Sequence, residues 1–295
     1  MAIVDNTVYT AENEMVGEFW QKALLGSEVL NTVFTIMPGV KNSIKLNQWD
    51  LDSNIIQDSD CSFSNQGEGT LSEKTFSVVD KKVNLQYCIE TFEQNYLHSL
   101  IANGSNNTEV PTVNQFLISS SALKVADGMV KYAFAATADG LIGKFLADAG
   151  VVDVTINALD ATNALDEIAK LYLAIPAEII AKEDLFIGID EASSRYFKLA
   201  AFDTTVPELT INEGLQLRYL GIPMIVCDGM GANTLFAARK SNLLYLTDLE
   251  SDSADLQVIN MYETTGEPNV RFVTRFKMSF DFMIPEEICL AQVGS

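Results

Sequence analysis

The chain has 295 residues and a mass of 32.4 kDa, and 48% of its residues are hydrophobic. This content is too high for an intrinsically disordered chain, and the length favours one or two domains. The 19 Lys and Arg residues are outnumbered by 40 Asp and Glu, which gives a formal net charge of −21. Proteins bind nucleic acids and anionic membranes through basic patches. The excess of acidic residues therefore argues against binding to a nucleic acid or to an anionic membrane.

Targeting and redox signals are sparse. The first residues lack the basic region and apolar stretch of a signal peptide, and no window offers the roughly 18 apolar residues that cross a bilayer. The four cysteines, Cys61, Cys88, Cys227 and Cys289, are widely separated, as is typical of reduced thiols. We therefore expect a cytosolic product with no membrane contact.

The first elements in chain order are a helix and a long hairpin. Helical spacing of apolar residues predicts a helix over 11–30, and Met37-Pro38-Gly39 then breaks the chain. Two-residue alternation predicts strands around 44–51 and 76–87. The segment between them, 52–72, is too polar to bury against its own core. It is therefore a functional loop, a disordered loop or a projecting arm that becomes ordered on a neighbouring subunit.

Helices dominate the middle of the chain. Apolar spacing predicts a short helix around 89–100, a long helix over about 113–147 with kinks or a break at its glycines, and a helix from 162 to 174. A strand at 185–189 and a helix at 193–202 follow. The remaining apolar runs predict strands at 216–219, 224–227, 234–238, 257–262, 271–281 and 288–292. Because helices and strands are partly segregated, we expect an α+β fold.

No arrangement of residues indicates catalysis. His98 is the only histidine, and no Gly-x-Ser-x-Gly nucleophile elbow accompanies it. We interpret it as a helix-end residue that caps carbonyl groups or faces solvent. Adjacent carboxylates such as Asp190 and Glu191 do not face each other on a helix, and Asp228-Gly-Met-Gly231 fits neither a P-loop nor a dinucleotide fingerprint. The sequence therefore predicts a protein that is not an enzyme and uses no cofactor.

Metal-binding patterns are equally weak. The cysteines have no Cys-x-x-Cys spacing for zinc. The acidic run over 247–255 fails as an EF-hand, because Ser253 stands where that loop needs glycine and Ile259 where it needs glutamate. We interpret the run as a solvated or helix-capping loop and predict no metal site.

A series of segments in the second half of the chain has a specific order and spacing. The segments are, in chain order, the helix 163–175, Asp184-Leu-Phe-Ile-Gly188, Arg195-Tyr-Phe197, Tyr219-Leu-Gly-Ile-Pro223, Asn233-Thr-Leu-Phe-Ala-Ala238, Lys240-Ser-Asn-Leu243, Asp248-Leu-Glu-Ser-Asp252, Arg275-Phe-Lys-Met-Ser-Phe-Asp-Phe282 and Pro285-Glu-Glu-Ile288. This succession, over roughly residues 160–293, resembles the major capsid proteins of tailed bacteriophages, which share the Hong Kong 97 fold.

The resemblance implies a division of the chain into parts. Residues 1–40 would form an N-terminal arm, and 41–85 an extended hairpin loop (E-loop) that lies over a neighbour. Residues 86–181 and 263–295 would form a peripheral domain, whose spine helix is the long helix predicted above. Residues 182–262 would form an axial domain.

The resemblance also implies the function of a structural subunit in an icosahedral viral head. Such subunits assemble with one another as hexamers and pentamers in the host cytoplasm, become part of the virion capsid and enclose double-stranded DNA without sequence-specific binding. A portal, a scaffolding protein and optional decoration proteins are the implied partners. We expect the scaffolding protein to be separate, because 40 residues before the hairpin are too few for a large scaffolding segment. An acidic inner wall would repel the DNA and let it slide.

Three aromatic residues, Trp49, Phe63 and Phe76, are the predicted anchors of the hairpin on a neighbouring subunit, because aromatic residues dominate interface energetics. Packing within the hairpin is the alternative role for the same three. Some members of the family join a hairpin lysine covalently to an asparagine of a neighbour. By their location in or near the hairpin, five lysines are candidates for this covalent link: Lys41, Lys45, Lys74, Lys81 and Lys82. The alternative interpretation is that they are ordinary solvated lysines.

Other functions remain open at this stage. An encapsulin-type bacterial nanocompartment shell has the same fold but encloses cargo enzymes, and the sequence hardly separates the two. A soluble α+β enzyme with an unrecognised site would give monomers or small oligomers with a pocket. A binding or surface-layer protein is disfavoured by the lack of an export signal.

Overall fold

The computed structural model describes residues 9–10, 28–51, 69–88, 110–203, 217–248, 257–261 and 265–294. Within these ranges the helices are α1 (Glu28–Val33), α2 (Val110–Ala133), α3 (Leu141–Ala147), α4 (Ala164–Ala174) and α5 (Glu191–Asp203). The strands are β1 (Tyr9–Thr10), β2 (Thr35–Met37), β3 (Ser43–Leu51), β4 (Gly69–Ser77), β5 (Val79–Cys88), β6 (Val152–Ile156), β7 (Leu185–Ile189), β8 (Leu217–Tyr219), β9 (Ile222–Val226), β10 (Leu235–Arg239), β11 (Leu243–Thr247), β12 (Gln257–Asn260), β13 (Asn269–Phe282) and β14 (Cys289–Val293).

The first sheet is built around β13, the longest strand. β13 pairs antiparallel with β5, β11 and β12, while β2 adds to β11 in parallel and β1 adds to β12. Apolar residues alternate along β13, so that Val270, Phe272, Phe276 and Met278 all lie on the buried face. This two-residue period is what a half-buried antiparallel strand requires, and it confirms the strand predicted at 271–281.

The second sheet has the strand order β6-β14-β10-β7-β9-β8 and mixes parallel with antiparallel pairs. Every residue of β7 is buried, and so are the first four residues of β10. Because both faces of these central strands are covered, they read as continuous apolar runs in the sequence. Helix α4 packs against β6, β10 and β14, and α5 packs against α4.

One apolar cluster contains residues of both sheets, among them Phe236 of β10 and Phe276 and Phe280 of β13. Phe236 of β10 is fully buried, and its ring centroid lies 6.1 Å from that of Phe134, 5.7 Å from Phe145 and 5.7 Å from Phe186. A Cβ atom at Gly188 on the neighbouring strand would lie 2.1 Å from Cε1 of Phe236. The glycine therefore makes room for the ring at the centre of the molecule.

Ion pairs and side-chain amide hydrogen bonds stabilise the segment in which the chain passes from the second sheet to the first. β10 ends at Arg239, and a 3-10 turn, Lys240–Asn242, leads into β11. Arg239 donates from Nε to Oδ1 of Asp184 at 3.0 Å and from Nη1 to Oε1 of Glu287 at 3.1 Å. Asn242 accepts from the backbone N–H of Ile284 at 2.8 Å and donates to its carbonyl at 2.7 Å. These side chains thus have hydrogen-bond partners, and the bonds fix the conformation of the segment between β10 and β11.

Acid is expected to weaken the fold through Asp184 and Glu167. Burial alone would raise the pKa of each carboxyl, but hydrogen bonds from Ser241 and Arg239 lower that of Asp184 from 3.8, and bonds from Lys170 and Asn157 lower that of Glu167 from 4.5. A carboxyl whose pKa is lower in the folded state stabilises the fold above its unfolded pKa, and that stability is lost as pH falls through the folded pKa. We expect the melting temperature to be steady above about pH 5 and to fall below about pH 4.

Thermal unfolding followed by circular dichroism between pH 7 and pH 3 measures this effect. Asp184→Asn is the matched variant, because it keeps the size of the side chain and removes the titrating group. It should melt at a lower temperature than the wild type at pH 7 and lose less on acidification. An equal slope for the two proteins would contradict the role assigned to Asp184.

Part of the predicted N-terminal arm belongs to the folded core. Leu30 and Val33 of α1 are buried, and so is Phe34, whose ring centroid lies 5.6 Å from that of Phe134 and 5.1 Å from that of Phe280. β2 then pairs in parallel with β11. The last segment of the predicted arm over 1–40 therefore packs into the same core as the first sheet, and the boundary of the arm stays a prediction.

Strands from different predicted parts of the chain share a sheet, while the predicted domain boundaries themselves stay a prediction. β11 and β12, predicted within the axial part (182–262), belong to the first sheet with β13. β6 and β14, predicted within the peripheral part (86–181 and 263–295), belong to the second sheet. The hairpin predicted over 41–85 comprises β3 and β4, whereas β5 is a strand of the first sheet. Long-range strand pairing decides which of these strands share a sheet.

Individual elements show where the sequence patterns were sufficient. The helices predicted at 162–174 and 193–202 match α4 and α5, while β6 and β11 were not predicted. The helix predicted over 113–147, with kinks or a break at its glycines, is divided into α2 and α3. Gly140 and Gly143 lie at the break, where a Cβ atom would be 2.2 Å from the carbonyl oxygen of Ala135 and 1.9 Å from that of Thr137, respectively. The helix predicted at 89–100 and most of that at 11–30 lie outside the described residues.

Candidate assembly surface

A two-stranded hairpin projects from the first sheet. β3 and β4, here called the arm, pair antiparallel over nine residue pairs from Ser43–Ser77 at the base to Leu51–Gly69 at the outer end. At about 3.3 Å per residue the described arm is roughly 30 Å long. Its two strands form a separate sheet, and neither pairs with another strand of the described chain. The strand predicted around 44–51 is therefore confirmed, whereas its partner β4 begins at Gly69 within the segment 52–72 that was predicted as a polar connection, and the strand predicted around 76–87 corresponds to β5.

The base of the arm is anchored by apolar contacts. Phe76 is 1% exposed and lies in a cluster with Val40 and with Leu244 and Leu246 of β11. Ile44 and Leu46 of the opposite strand pack against the same cluster. Of the three predicted interface aromatics, Phe76 therefore packs within its own chain, as in the alternative role, and offers no exposed surface to a neighbour.

Lys74 marks the point where the arm leaves the body. Its Nζ donates to the carbonyl oxygen of Phe282 at 2.8 Å and lies 4.0 Å from the centroid of that ring. Burial lowers the pKa of Lys74, and the nearby Asp281 acts against this shift. Beyond Lys74, every residue of β4 from Gly69 to Glu73 is exposed. The body thus supports the arm only as far as Lys74.

The outer half of the arm carries apolar side chains into solvent. Trp49 and Leu71 face each other across the strands and are 60% and 63% exposed. A Cβ atom at Gly69 would lie 2.4 Å from Cζ2 of Trp49, so the indole packs directly on the glycine backbone. An isolated two-stranded hairpin is at best marginally stable in water. A surface that covers Trp49 and Leu71 would therefore stabilise the arm as well as bury its apolar area.

The other lysines near the arm are placed differently. Lys45 forms an ion pair with Glu73 across the arm. Lys81 pairs with Asp139 at 3.2 Å and lies 4.4 Å from the ring centroid of Tyr132. Lys41 and Lys82 are exposed. These contacts do not distinguish one lysine for a covalent link to a neighbour, and the five candidates stay a prediction.

The residues considered for chemistry occupy structural positions. Cys227 and Cys289 are buried, and burial raises the pKa of Cys289 to about 11 and that of Cys227 further, so both thiols stay protonated. Asp248 accepts a hydrogen bond from the backbone N–H of Lys277 at 3.0 Å, which places the start of the acidic run in a loop contact. Phe63 and His98 lie outside the described residues, as does Cys61.

Within the described ranges, no group of three or more His, Cys, Asp or Glu side chains is arranged to hold a metal ion. None of the helices there combines the length and apolar character that a membrane-spanning helix needs.

Comparisons with known proteins find similarity in structure and not in sequence. No family model matches the chain, and no curated protein matches it. Solved shells match over nearly the whole chain. The satellite phage P4 procapsid that includes the size determination protein covers 94% of this chain and 98% of its own, with 10% identity and a TM-score of 0.58. A Gordonia phage structure covers 91% and 87%, with 13% identity and a TM-score of 0.57.

An encapsulin complex from Synechococcus elongatus is also similar, with 90% of this chain and 89% of that chain covered, 10% identity and a TM-score of 0.56. Agreement along the whole chain at such low identity is agreement in fold. The α+β class and the resemblance noted in the sequence are thereby confirmed at the level of the fold. The chain has the Hong Kong 97-type fold of viral capsid proteins.

Proposed function

We propose that this chain is a major capsid protein, a structural subunit that assembles with copies of itself into an icosahedral viral shell. The observation that carries the proposal is the outer arm, where Trp49 and Leu71 are exposed beyond the last contacts that the described part of the body makes with the hairpin. A protein working as a monomer gains nothing from this arrangement. A neighbouring copy that receives the arm buries both side chains, and Trp is among the residues that contribute most to interfaces.

Assembly as hexamers and pentamers around double-stranded DNA is the finer form of this proposal. The net charge of −21 supports a shell whose inner surface encloses DNA without binding it tightly. In this assignment the first sheet with α2 forms the peripheral domain and the second sheet with α4 and α5 forms the axial domain. A separate scaffolding protein and a portal complete assembly in the host cytoplasm, with decoration proteins as optional additions, and the subunit is not an enzyme.

An encapsulin-type shell is the second candidate, and the similarity to the Synechococcus elongatus complex favours it. Both candidates use the same arm and the same contacts between copies. They differ in what the shell contains. Particles purified from the native source would hold double-stranded DNA in the first case and a cargo enzyme in the second.

Salt should promote assembly of the purified chain. Subunits of charge −21 repel one another, and this repulsion is screened over about 8 Å at 0.15 M salt but over about 30 Å at 0.01 M. We expect closed particles in negative-stain images at the higher salt and free subunits or small oligomers at the lower. Light scattering measured as a function of salt concentration follows the same transition from free subunits to particles in solution. A small monodisperse species at every salt and protein concentration would contradict the shell function.

A further inference from the structure

Two lysines hold the base of the arm through hydrogen bonds that run in opposite directions. Lys74 of the arm donates from Nζ to the carbonyl oxygen of Phe282 on β13 at 2.8 Å. Lys277 of β13 donates from Nζ to the carbonyl oxygen of Lys41, just before the arm, at 2.9 Å. The arm and the body thus each supply one ammonium group and one backbone carbonyl. Hydrogen bonds donated by a charged group are among the stronger ones in proteins.

The two bonds are separated by the same length of chain on the arm and on the body. Lys277 and Phe282 are five residues apart on β13, which at about 3.3 Å per residue is roughly 16 Å. Lys74 pairs with Leu46 across the arm, and Leu46 lies five residues after Lys41. The base of the arm therefore runs beside the end of β13. Two contacts this far apart fix the direction of a rod, whereas a single contact would let it swing.

The contact made by Lys74 is the one farther from the pivot. At the pivot, the bond from Lys277 is accompanied by a backbone bond from the N–H of Val40 to the carbonyl oxygen of Thr247 at 3.1 Å. Farther out, the apolar cluster that contains Phe76 attaches the arm to β11. Hydrophobic contact is non-directional, whereas a hydrogen bond has a preferred distance and angle. The cluster therefore attaches the arm, and the bond from Lys74 orients it.

The surroundings of Lys74 keep its ammonium group in one place. Its Nζ lies 4.0 Å from the ring centroid of Phe282 and 5.7 Å from that of Phe76. Asp281 is nearby, but its Oδ2 accepts a hydrogen bond from Lys144 at 2.7 Å. The ammonium group is thus directed to a carbonyl oxygen and two rings. Such cation–π contacts are stronger in a partly desolvated site than on an open surface.

We propose that Lys74 is a positioning residue, which together with the pivot contact of Lys277 fixes the direction in which the outer arm leaves the isolated subunit. The proposal rests on the shell function above and concerns how one subunit is prepared for assembly. An arm that is already oriented loses less conformational freedom when a neighbour binds it, so preorganisation favours assembly. A swinging arm would present Trp49 and Leu71 in many directions, most of which miss the neighbour.

Lys74→Met tests the orientation of the arm directly. Methionine keeps an unbranched apolar side chain and removes the ammonium group, so the melting temperature of the subunit should change by less than about 2 °C. Spin labels at Asn47→Cys on the arm and Lys124→Cys on α2 measure the distance between arm and body in the isolated full chain at low salt. Cys61→Ser and Cys88→Ser prevent labelling elsewhere, since the two remaining cysteines are buried.

The width of the measured distance distribution is the first readout. We expect it to increase roughly twofold or more for Lys74→Met. The increase should be smaller for Lys277→Met, because the pivot keeps the backbone bond from Val40. Lys45→Met is the matched control, since Lys45 is a lysine of the arm that pairs with Glu73 on the arm itself, and it should leave the distribution as in the wild type. An unchanged width for Lys74→Met, or equal broadening for Lys45→Met, would overturn the proposal.

Assembly is the second readout. The critical concentration of Lys74→Met, measured by light scattering at 0.15 M salt, should rise at least about threefold above that of the wild type. A broadened distribution together with unchanged assembly would overturn the positioning role. If the wild type forms no shells at all, the proposed function fails, while the spin-label distances still decide whether Lys74 orients the arm.

Discussion

Replacing Trp49 with serine is expected to abolish shell assembly while leaving the subunit folded. Trp49 is 60% exposed and lies beyond the apolar cluster that anchors the arm, so the melting temperature of the subunit should change by less than about 2 °C. Loss of a buried tryptophan at an interface typically costs at least about 2 kcal/mol per contact. The same loss is repeated at every copy of the contact in a closed shell. Size-exclusion chromatography and negative-stain imaging measure both outcomes.

Two further variants of the arm test the reason for this effect. Gly69→Ala keeps the tryptophan but places a Cβ atom 2.4 Å from its Cζ2, so the ring must move and assembly should weaken. Thr75→Ala changes an exposed residue of the same strand nearer the base and should assemble as the wild type does. Normal shells from Trp49→Ser would show that the arm is not an assembly contact. Normal shells from Gly69→Ala would show that the ring position is not important.

Replacing Phe236 with alanine is expected to cause a large loss of stability. The ring is fully buried among Phe134, Phe145 and Phe186, within the apolar cluster that contains residues of both sheets. Removing a buried phenylalanine ring typically costs about 3–5 kcal/mol, because the cavity left behind is only partly refilled. This is a large fraction of the roughly 5–15 kcal/mol that stabilises most folded proteins. Urea unfolding of the subunit at low salt, where it stays unassembled, measures the loss.

Phe236→Leu is the graded control for this position. Leucine fills more of the cavity than alanine, so the loss should be clearly smaller, and both variants should keep the helical circular dichroism signal in the absence of urea. A loss below about 1 kcal/mol for Phe236→Ala would contradict the central position of this ring. The Trp49 and Phe236 variants thus act on different properties, one on contacts between copies and the other on the fold of each copy.

Local patterns were enough for much of the secondary structure. The alternation along β13 predicted a strand, and the apolar spacing in α4 and α5 predicted helices, because one face of each is buried. β11 was not predicted, although Leu243-Leu-Tyr-Leu246 is a short continuous apolar run typical of a strand covered on both faces. β6 carries an alternating Val152, Val154 and Ile156 that the same reasoning could have identified.

The interface residues were harder to predict. Trp49 and Phe76 belong to the same hairpin and have similar apolar neighbours in sequence, yet one is exposed and the other is buried. Their difference depends on distance from β11, whose Leu244 and Leu246 cover the base of the arm and cannot reach its outer end.

The sequence by itself determined the fold class, since the mix of predicted helices and strands and the resemblance carried by the segments over 160–293 led to an α+β, Hong Kong 97-type fold. Only the tertiary structure decided which parts of the chain share a sheet and which apolar residues stay exposed. Both are set by contacts between residues far apart in sequence, such as Asp184 with Arg239 and Phe34 with Phe280. Local periodicity records that a side chain is apolar, whereas burial depends on what the rest of the chain places against it.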